Sequence, residues 1–570
     1  MYSTGRWLVG LVIGLIIAAA AQVAFAASPE AVHGRHGIVA SRSALASAVG
    51  ADIMRGGGNA IDAAVATGFA LAVTYPAAGN LGGGGLMVIR LSDGRVVTND
   101  HRERAPARAQ RDMFLDASGN VVPGLSTSSH LASGVPGSVA GLLDVLEKYG
   151  TLSRKQILAP AIRLAHDGFD LNDDLASEFQ QQTEQFLKYP GSARSFIKKD
   201  GSAYQPGDRF RQPELAKTLQ LIAAKGKDGF YVGKTAQLIV AQMQRGGGLI
   251  SAADLADYRS VWREPIGGSY RGYRIYSMAP PSSGGVLLVQ MLNMLEPYDL
   301  KALGFGSAET IHLMIEAERR AYADRAEYLG DSDFYPVPIS ELTAKGYART
   351  RFADFDPTRA SLSTRIGPGQ LTHESPQTTH LSVMDAAGNT VAYTTTLNLS
   401  FGSKIVVDGA GFLLNNEMDD FSSRENTPNA YGLIGREANA IEPGKRMLSS
   451  MTPTIVVDPA GQVLLATGSP GGSTIITTVL QVIVNVLDHA MELSDAVGVA
   501  RFHHQWVPDR VVYEPWGISP DTLTILRSRG HTFIPLPWGR GIGDANSVMR
   551  VGDELHGVSD PRNRGGAVAY

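Results

Sequence analysis

A threonine at the start of a predicted β-hairpin is the residue of this sequence whose position is most suggestive of chemistry. Polar and apolar residues alternate along Thr378–Asp385 and again along Thr390–Asn398, with a glycine-containing turn signal between them. This pattern predicts two antiparallel strands joined by a short loop. A loop centred on Ala387 sets Thr378 opposite Thr396, so that two hydroxyl groups meet at the open end of the hairpin.

Threonine is common in β-strands and usually has no further role there, and that is the ordinary interpretation of Thr378. The chemical interpretation is a nucleophile that carries its own base. A threonine hydroxyl is inert near neutral pH without a base beside it, and a free N-terminal amine is one known base. Such an amine has a pKa of about 7.7–8.0, so roughly a tenth of it is neutral at pH 7.

Several long motifs, in a fixed order, extend this interpretation. They are Thr378-Thr379-His380-Leu381-Ser382-Val383, Thr396-Leu397-Asn398, Leu414-Asn415-Asn416-Glu417-Met418-Asp419-Asp420-Phe421, Ser449-Ser450-Met451-Thr452-Pro453-Thr454 and Gly468-Ser469-Pro470-Gly471-Gly472-Ser473. From about residue 35 to its end, the chain resembles the γ-glutamyltranspeptidase family of N-terminal-nucleophile hydrolases, in its bacterial form.

The resemblance implies a fold and a maturation step. The fold is α+β, a four-layer αββα sandwich built as one globular unit from two fragments of one precursor. Self-cleavage between Gln377 and Thr378 would give a large subunit, 27–377, and a small subunit, 378–570, that stay together as a heterodimer. Residues 361–377 are expected to be the mobile tail that cleavage leaves.

The resemblance also assigns catalytic roles. Thr378 attacks the γ-carbonyl of a γ-glutamyl amide, and Thr396 orients its hydroxyl or amine. Apart from the resemblance, Ser473 is predicted to cap a helix over 475–487. That placement puts the Gly471 and Gly472 amides at a helix N-terminus, where N–H groups favour an oxyanion. The acyl group then passes to water, an amino acid or a dipeptide, and glutathione is an expected donor.

The zwitterionic head group of such a substrate needs groups of both charges. By motif match, Arg102 binds the α-carboxylate, which a guanidinium can hold in a bidentate pair. Its neighbour Arg104 is the rival, and His101 stands where relatives carry Phe. The other residues implied for the pocket are Asp420 for the ammonium, Ser449 and Ser450 for the carboxylate, and Asn398 and Glu417, where some relatives carry Gln.

A loop rich in Pro, Gly and Asn follows these motifs. The segment 426–436, with Tyr431 near its middle, matches the lid that covers the substrate in bacterial relatives, and its composition suits a mobile flap. An ordinary surface loop is the alternative.

Composition and charge limit the partners. With 570 residues and a net charge of −4, the chain has no basic footprint, so nucleic acid is not an expected partner. It contains no cysteine, which excludes disulfides and a cysteine nucleophile. No cofactor or metal is expected, and the adjacent His503 and His504 would point apart on a strand.

The first 26 residues have the pattern of a signal peptide. Arg6 precedes an apolar run, and Ala24-Phe25-Ala26 is a small-x-small cleavage site. We expect a periplasmic protein without a stable membrane anchor. Secretion beyond the periplasm and an uncleaved anchor are the alternatives.

Elsewhere the pattern predicts supporting elements. A strand over 37–40 is predicted, followed by two small-residue helices, the first from Ser43 and the second capped by Asn59 or Asp62. The glycine run 82–85 then leads into a strand, which favours close backbone packing over phosphate binding. From about 142 to 331 the spacing is mainly helical. A second hairpin is predicted around 458–461.

Two other functions fit the same residues. A cephalosporin or glutaryl acylase would keep the nucleophile but would bind no ammonium. A non-catalytic exported binding protein would keep only the pocket. The presence of Thr378, Arg102, Asp420 and Tyr431 favours a γ-glutamyl enzyme.

Overall fold

The predicted hairpin lies at the centre of a seven-stranded sheet. The computed structural model describes residues 29–367, 378–424 and 427–570. Strands β10 (Thr379–Asp385) and β11 (Thr390–Thr396) pair antiparallel with Thr379 opposite Thr395, which is the predicted register. Their turn is closed by the Asn389 amide, which donates to Asp385 Oδ1 at 2.9 Å. Gln377 and the predicted signal peptide lie outside the described residues.

Strands from both sides of residue 377 contribute to this sheet. In spatial order its strands are β19 (Gly566–Ala569), β2 (Gly37–Ser41), β10, β11, β3 (Gly84–Arg90), β4 (Val96–His101) and β7 (Val261–Arg263). The glycine run does lead into strand β3. A Cβ on Gly83 would lie 2.1 Å from the Thr396 carbonyl oxygen, so glycine is required where the backbones approach.

A second seven-stranded sheet contains the second predicted hairpin. In spatial order its strands are β1 (Val32–Gly34), β18 (Glu554–Ser559), β17 (Asn546–Val551), β13 (Val463–Thr467), β12 (Thr454–Val457), β9 (Tyr273–Ser277) and β8 (Ile266–Tyr270). Two small sheets consist of β14 (Phe502–His503), β15 (Val511–Tyr513) and β16 (Phe533–Pro535), and of β5 (Phe169–Asp170) and β6 (Arg209–Phe210).

Helices make up most of the remaining regular secondary structure of the described chain. In order they are α1 (Ala44–Arg55), α2 (Ala60–Thr74), α3 (Ser138–Tyr149), α4 (Arg154–Asp167), α5 (Asp173–Gln181), α6 (Thr183–Phe186), α7 (Pro190–Phe196), α8 (Pro213–Lys225), α9 (Asp228–Tyr231), α10 (Gly233–Gly246), α11 (Ala252–Ala256), α12 (Gly284–Leu295), α13 (Leu300–Leu303), α14 (Ala308–Tyr328), α15 (Ile339–Leu342), α16 (Lys345–Arg351), α17 (Ser363–Ile366), α18 (Thr474–Leu487), α19 (Leu493–Gly498) and α20 (Pro520–Ser528). Short 3₁₀ helices occur at His130–Ala132, Glu417–Asp420 and Glu437–Asn439.

The two large sheets face each other across an apolar layer. That layer joins Ile38, Val88 and Ala392 of the first sheet to Ile455 and Val548 of the second. Helix α2 packs on β10 and β11 of the first sheet, and α12 packs on β8 and β9 of the second. Residues 31–570 form one compact unit. The predicted α+β class is therefore confirmed.

Small residues allow helices α1 and α2 to pack closely against each other. Ser43 caps the first helix, and of the two predicted candidates Asn59 caps the second, with Asn59 Oδ1 accepting from the Asp62 amide at 2.9 Å. A Cβ on Gly50 would lie 2.3 Å from Thr67 Oγ1, so the two helices touch where α1 carries glycine.

The region from about 142 to 331 is mainly helical, as predicted, although strands β7 to β9, which were not predicted, lie within it. One expectation about organisation is wrong. Residues 361–367 are not a loose tail, because α17 packs into the body and the Trp506 indole donates to the Ser363 carbonyl at 2.9 Å. In the ranges the structure describes, no helix is both long enough and apolar enough to span a bilayer.

Candidate active site

The two threonines of the hairpin meet at its open end. Thr378 is 5% exposed, and its hydroxyl donates to Thr396 Oγ1 at 3.5 Å. Thr396 Oγ1 also accepts a hydrogen bond from the Asn398 amide at 2.8 Å. The φ of Asn398 is +75°. The end of β11 therefore fixes the Thr396 hydroxyl beside Thr378.

The Gly471-Gly472 turn leads from β13 into α18 and lies on two sides of Thr378. Gly471 shares a cavity of about 180 Å³ with Thr378, and Gly472 shares another of about 20 Å³ with it. Their φ values are +137° and +56°, a region that favours glycine. A Cβ on Gly472 would lie 2.2 Å from the Tyr431 ring. Both glycines are therefore required by the backbone.

The predicted Ser473 cap is wrong. Helix α18 begins at Thr474, and Ser473 lies in helical conformation and makes no side-chain cap among the described residues. Its hydroxyl donates instead to Gln505 Oε1 at 2.7 Å. The N-terminus of α18 beside the glycine turn thus has no serine side chain over it.

The smaller cavity gathers most of the predicted pocket. Its lining consists of Arg102, Thr378, Thr396, Asn398, Glu417, Asp420, Tyr431, Leu433, Ser449, Ser450, Met451, Gly472 and Ile475. Arg104 is not in this lining, and its guanidinium lies over the Tyr258 ring, 5.6 Å from the centroid. The geometry thus favours Arg102 over its rival.

Opposite charges are concentrated at Arg102, which is 1% exposed. Its Nη1 donates to Glu417 Oε2 at 2.5 Å, and its Nη2 donates to Asp420 Oδ2. Burial alone would lower the pKa of Arg102, but Glu417, Asp420 and Glu103 hold it above its usual value. The guanidinium therefore stays charged.

Burial has the opposite effect on the acids. It raises the pKa of Asp420 to about 6 and that of Glu417 well above its usual range, although Arg102 opposes both shifts. Glu103, which follows Arg102 in the chain, has a pKa raised to about 8 by burial.

Two acceptors in the small cavity lack donors. Among the described residues, Glu417 Oε1 and Asn398 Oδ1 are buried without a hydrogen-bond partner. Glu417 is fully buried and Asn398 is 2% exposed. Because an unpaired buried acceptor costs free energy, this cavity is suited to a ligand that brings N–H donors.

Tyr431 closes the cavity. It is 4% exposed, and its hydroxyl donates to the Asn398 carbonyl at 2.5 Å. Asn429 orders the loop by accepting from the Tyr431 amide at 2.9 Å. Residue 426, where the matched segment begins, lies outside the described residues. In this structure the segment covers the cavity.

Comparison with known proteins identifies the family. The model described as Gamma-glutamyltranspeptidase matches residues 46–570. The chain belongs to the γ-glutamyltranspeptidase family. It is 51% identical over 534 residues to the glutathione hydrolase proenzyme of Escherichia coli (strain K12), covering 93% of this chain and 91% of that protein.

Acylases share the architecture of this γ-glutamyltranspeptidase family member. The chain is 39% identical over 530 residues to the acylase ACY 1 proenzyme of Pseudomonas sp. (strain SE83), covering 92% of this chain and 91% of that protein. The crystal structure of cephalosporin acylase from Bacillus halodurans matches with a TM-score of 0.84 at 27% identity, covering 96% of this chain and 98% of that one.

The sequence analysis missed a second cation next to the γ-glutamyltranspeptidase pocket. Arg325 of α14 is buried, and it donates to Ser283 Oγ at 2.9 Å and to Ser450 Oγ at 3.2 Å. Burial lowers its pKa to about 10. The sequence offered no distinct signal, because α14 carries many charged residues and no motif linked Arg325 to Ser450.

His101 occupies the place of the family's Phe without disturbing the pocket. Its ring is fully buried, with Nδ1 2.9 Å from Asn99 Oδ1 and Nε2 3.3 Å from the Tyr393 hydroxyl. Burial lowers its pKa to about 4, so it is neutral at pH 7. The imidazole therefore acts as a packed core residue.

The histidine pairs belong to other networks. His503 Nδ1 lies 2.8 Å from Thr477 Oγ1, whereas His504 Nδ1 accepts from the Trp506 amide at 3.0 Å, so the two rings do point apart. Within the described ranges, two groups have metal-compatible geometry: His33, Glu554 and His556, and His312, Glu316 and His531. Neither group contributes to the cavities beside Thr378.

Proposed function

We propose that the chain is a proenzyme that cuts itself before Thr378 and then acts as a γ-glutamyltranspeptidase and glutathione hydrolase. The chain is an enzyme of this family. The observation that carries the proposal is the meeting of Thr378 and Thr396 at a cavity that holds Arg102 and two unpaired acceptors.

Cleavage between Gln377 and Thr378 would give Thr378 an α-amine. The fragments 27–377 and 378–570 would then form one four-layer αββα unit. Each large sheet contains strands of both fragments, which supports their staying together.

The first chemical step forms an ester. Thr378 Oγ bonds to the γ-carbonyl carbon while the α-amine takes the hydroxyl proton, and the Gly471 and Gly472 amides receive the oxyanion. Each such donor contributes about 2.7–4 kcal/mol of transition-state stabilisation. The C–N bond then breaks, and the proton moves from the α-ammonium to the leaving amine.

The second step consumes the ester. Water or the amine of an amino acid or dipeptide attacks the same carbon and gives up a proton to the α-amine. The ester bond breaks and Thr378 Oγ takes that proton back. The products are glutamate or a new γ-glutamyl amide, and the chain's own residues suffice for both steps.

On binding, the head group of the substrate would replace the contacts that Arg102 makes with Glu417 and Asp420. Its α-carboxylate would pair with Arg102 and with the hydroxyls of Ser449 and Ser450. Its α-ammonium would supply donors to Asp420, to Glu417 Oε1 and to Asn398 Oδ1. A cavity of about 20 Å³ holds about one water molecule, so Tyr431 must move for a substrate to enter.

The unpaired acceptors also bear on the acylase alternative. A glutaryl amide has no ammonium, so it would leave Glu417 Oε1 and Asn398 Oδ1 without donors. We therefore favour γ-glutamyl donors, although acylases are among the relatives. The binding-protein alternative is set aside because the family is enzymatic and Thr378 is present.

Product analysis tests the proposed reaction. The purified protein is incubated with glutathione, with and without glycylglycine, and the products are identified by mass spectrometry. We expect glutamate and cysteinylglycine in the first case and γ-glutamyl-glycylglycine in addition in the second. Faster release from a glutaryl anilide than from a γ-glutamyl anilide would favour the acylase instead.

We also propose that the protein is exported to the periplasm through residues 1–26. The small-x-small site before Ala27 supports this. Fractionation of cells tests it: we expect mature protein in the osmotic-shock fraction, and a membrane pellet that holds the protein would favour an uncleaved anchor.

A further inference from the structure

Three side chains that can bind a metal ion lie together at the edge of the second sheet. His33 on β1 is directly opposite His556 on β18, and their rings meet edge to face with centroids 4.9 Å apart. Glu554 is two residues before His556 on the same strand, so strand pleating places both side chains on one face. One ligand atom of each residue lies within 4.8 Å of those of the other two. None of the three residues lines the cavities beside Thr378.

The face that carries these side chains is open to solvent. Leu555, between Glu554 and His556, belongs to the apolar layer that joins the two large sheets, so its neighbours point to the opposite face. His33 is exposed, and Glu554 and His556 are half-buried. An ion can therefore reach all three side chains from water.

Two imidazoles and one carboxylate are a ligand set typical of Zn²⁺ and similar transition metals, which bind such ligands at about 2.0–2.2 Å. His556 Nε2 lies 3.8 Å from Glu554 Oε2, so only small side-chain rotations are needed for both to reach one ion. Glu554 also forms an ion pair with Arg35 at 3.4 Å. Because that pair is long and exposed, it contributes little and an ion can replace it.

Of the two groups with metal-compatible geometry among the described residues, the one formed by His312, Glu316 and His531 is less suited to a cation. Glu316 Oε2 accepts from Arg320 Nη1 at 2.6 Å, and Glu316 Oε1 accepts from Arg319 Nε at 3.3 Å. Glu316 and both arginines are buried, so two guanidinium groups would repel an ion there at close range. The group at the sheet edge is the better candidate.

The group at the sheet edge also joins two distant parts of the chain. β1 is an edge strand of only three residues, and it pairs with β18. Just beyond β1, the Arg35 and His36 amides donate to the Tyr570 carbonyl at 3.0 and 2.8 Å. The proposed cleavage site lies between β1 and β18 in sequence, so an ion bound to both strands would link the two fragments.

We propose that His33, Glu554 and His556 bind one divalent transition-metal ion of the Zn²⁺ class. The ion holds edge strand β1 on β18 and fastens the start of the large fragment to the small fragment. Binding of the ion does not depend on cleavage, whereas this linking role rests on the proposed function. The reaction proposed at Thr378 uses no atom of the metal site.

Calorimetric titration tests the site, with protein purified without a polyhistidine tag. ZnCl₂ should show one tight site per molecule, and MgCl₂ should show none, because imidazole suits Zn²⁺ and not Mg²⁺. His33→Gln and His556→Gln should each weaken Zn²⁺ binding about 100-fold. His36→Gln, at an exposed histidine outside the group, is the matched control and should leave Zn²⁺ binding unchanged. Zn²⁺ affinity that is the same in the wild type and in the two ligand variants would overturn the site.

Urea titration of the cleaved protein tests the linking role. Fragment separation is followed by gel filtration, without Zn²⁺ and with Zn²⁺ at about 100 times its Kd. The ion should shift the equilibrium about 100-fold toward the associated fragments and so raise the urea midpoint, but should have no such effect in His33→Gln. An unchanged midpoint in the wild type with Zn²⁺ bound would overturn the linking role.

The uncut Thr378→Ala chain separates this inference from the proposed function. It keeps all three ligands, so it should bind Zn²⁺ as tightly as the wild type does. A wild-type chain that binds Zn²⁺ but is never cleaved would refute the proposed maturation, and the linking role with it, while supporting the metal site.

Discussion

At the scale of single residues, the site combines one buried cation with several buried acids. Arg102 contacts Glu417 and Asp420 in the described structure, and under the proposed function a zwitterionic substrate would replace these contacts. Such pairing preserves charges that would otherwise be costly to bury. The sequence could name these residues through motifs, but it could not show that they pair with one another.

Arg102→Lys tests the bidentate contact. A lysine keeps the positive charge but cannot hold a carboxylate through two parallel N–H groups, so kcat/KM for γ-glutamyl-p-nitroaniline should fall about 10- to 100-fold. Initial rates measure the effect. The matched control is Arg104→Lys, which should change it little, and equal losses in the two variants would contradict the assignment.

The pH dependence of KM tests Asp420. Its pKa is raised to about 6, so below that pH the carboxyl is protonated and no longer attracts an ammonium. KM for the donor should therefore rise as pH falls below about 6. In contrast, kcat should follow the free α-amine, whose ordinary pKa is about 7.7–8.0.

Asp420→Asn provides the control for this profile. The amide cannot titrate, so KM should be high and flat across the same pH range while the kcat profile keeps its shape. A KM profile that retains its acid rise in Asp420→Asn would assign the titration to another group.

At the scale of elements, local signals were sufficient where turns and caps decide the structure. The hairpin of β10 and β11 and the caps at Ser43 and Asn59 depend on residues close in sequence. Ser473 was mispredicted because its partner, Gln505, lies 32 residues away. Strands β7 to β9 were missed because their pairing with distant strands, such as β9 with β12, leaves little trace in local spacing.

The segment around Tyr431, which covers the head-group cavity, gives the prediction at the scale of elements. Tyr431→Ala should open the head-group cavity, raise KM for the donor and increase the share of acyl-enzyme lost to water. Tyr431→Phe keeps the ring and removes only the hydrogen bond to Asn398, so its effect should be smaller, about two- to tenfold. Mass analysis of hydrolysis and transfer products at a fixed glycylglycine concentration measures the ratio. Equal effects of the two variants would mean that the ring does not shield the site.

At the scale of the whole molecule, the two halves of the chain are interleaved. Strand β10 lies between β2 and β11, and β11 pairs with β3, so the hairpin from after residue 377 is inserted between strands from before it. The family resemblance implied two interlocked fragments, but the order of the strands became visible only in the structure.

This interleaving predicts that the two fragments stay associated after cleavage. The two fragments should co-elute in gel filtration under native conditions and separate only in denaturant, because parting them would break the hydrogen bonds of β10 with β2 and of β11 with β3, and would expose the apolar layer. Fragments that separate in native buffer with activity retained would contradict the single two-fragment unit.

The most direct test of the account is to determine where the purified active protein begins its small fragment and which residue carries the acyl group. Intact mass and N-terminal sequencing after brief exposure to a γ-glutamyl donor measure both. We predict a fragment beginning Thr378-Thr379-His380 that carries one γ-glutamyl group on Thr378, and an uncut, unlabelled chain in Thr378→Ala. An uncleaved wild-type chain that turns over γ-glutamyl amides at full rate would contradict the account.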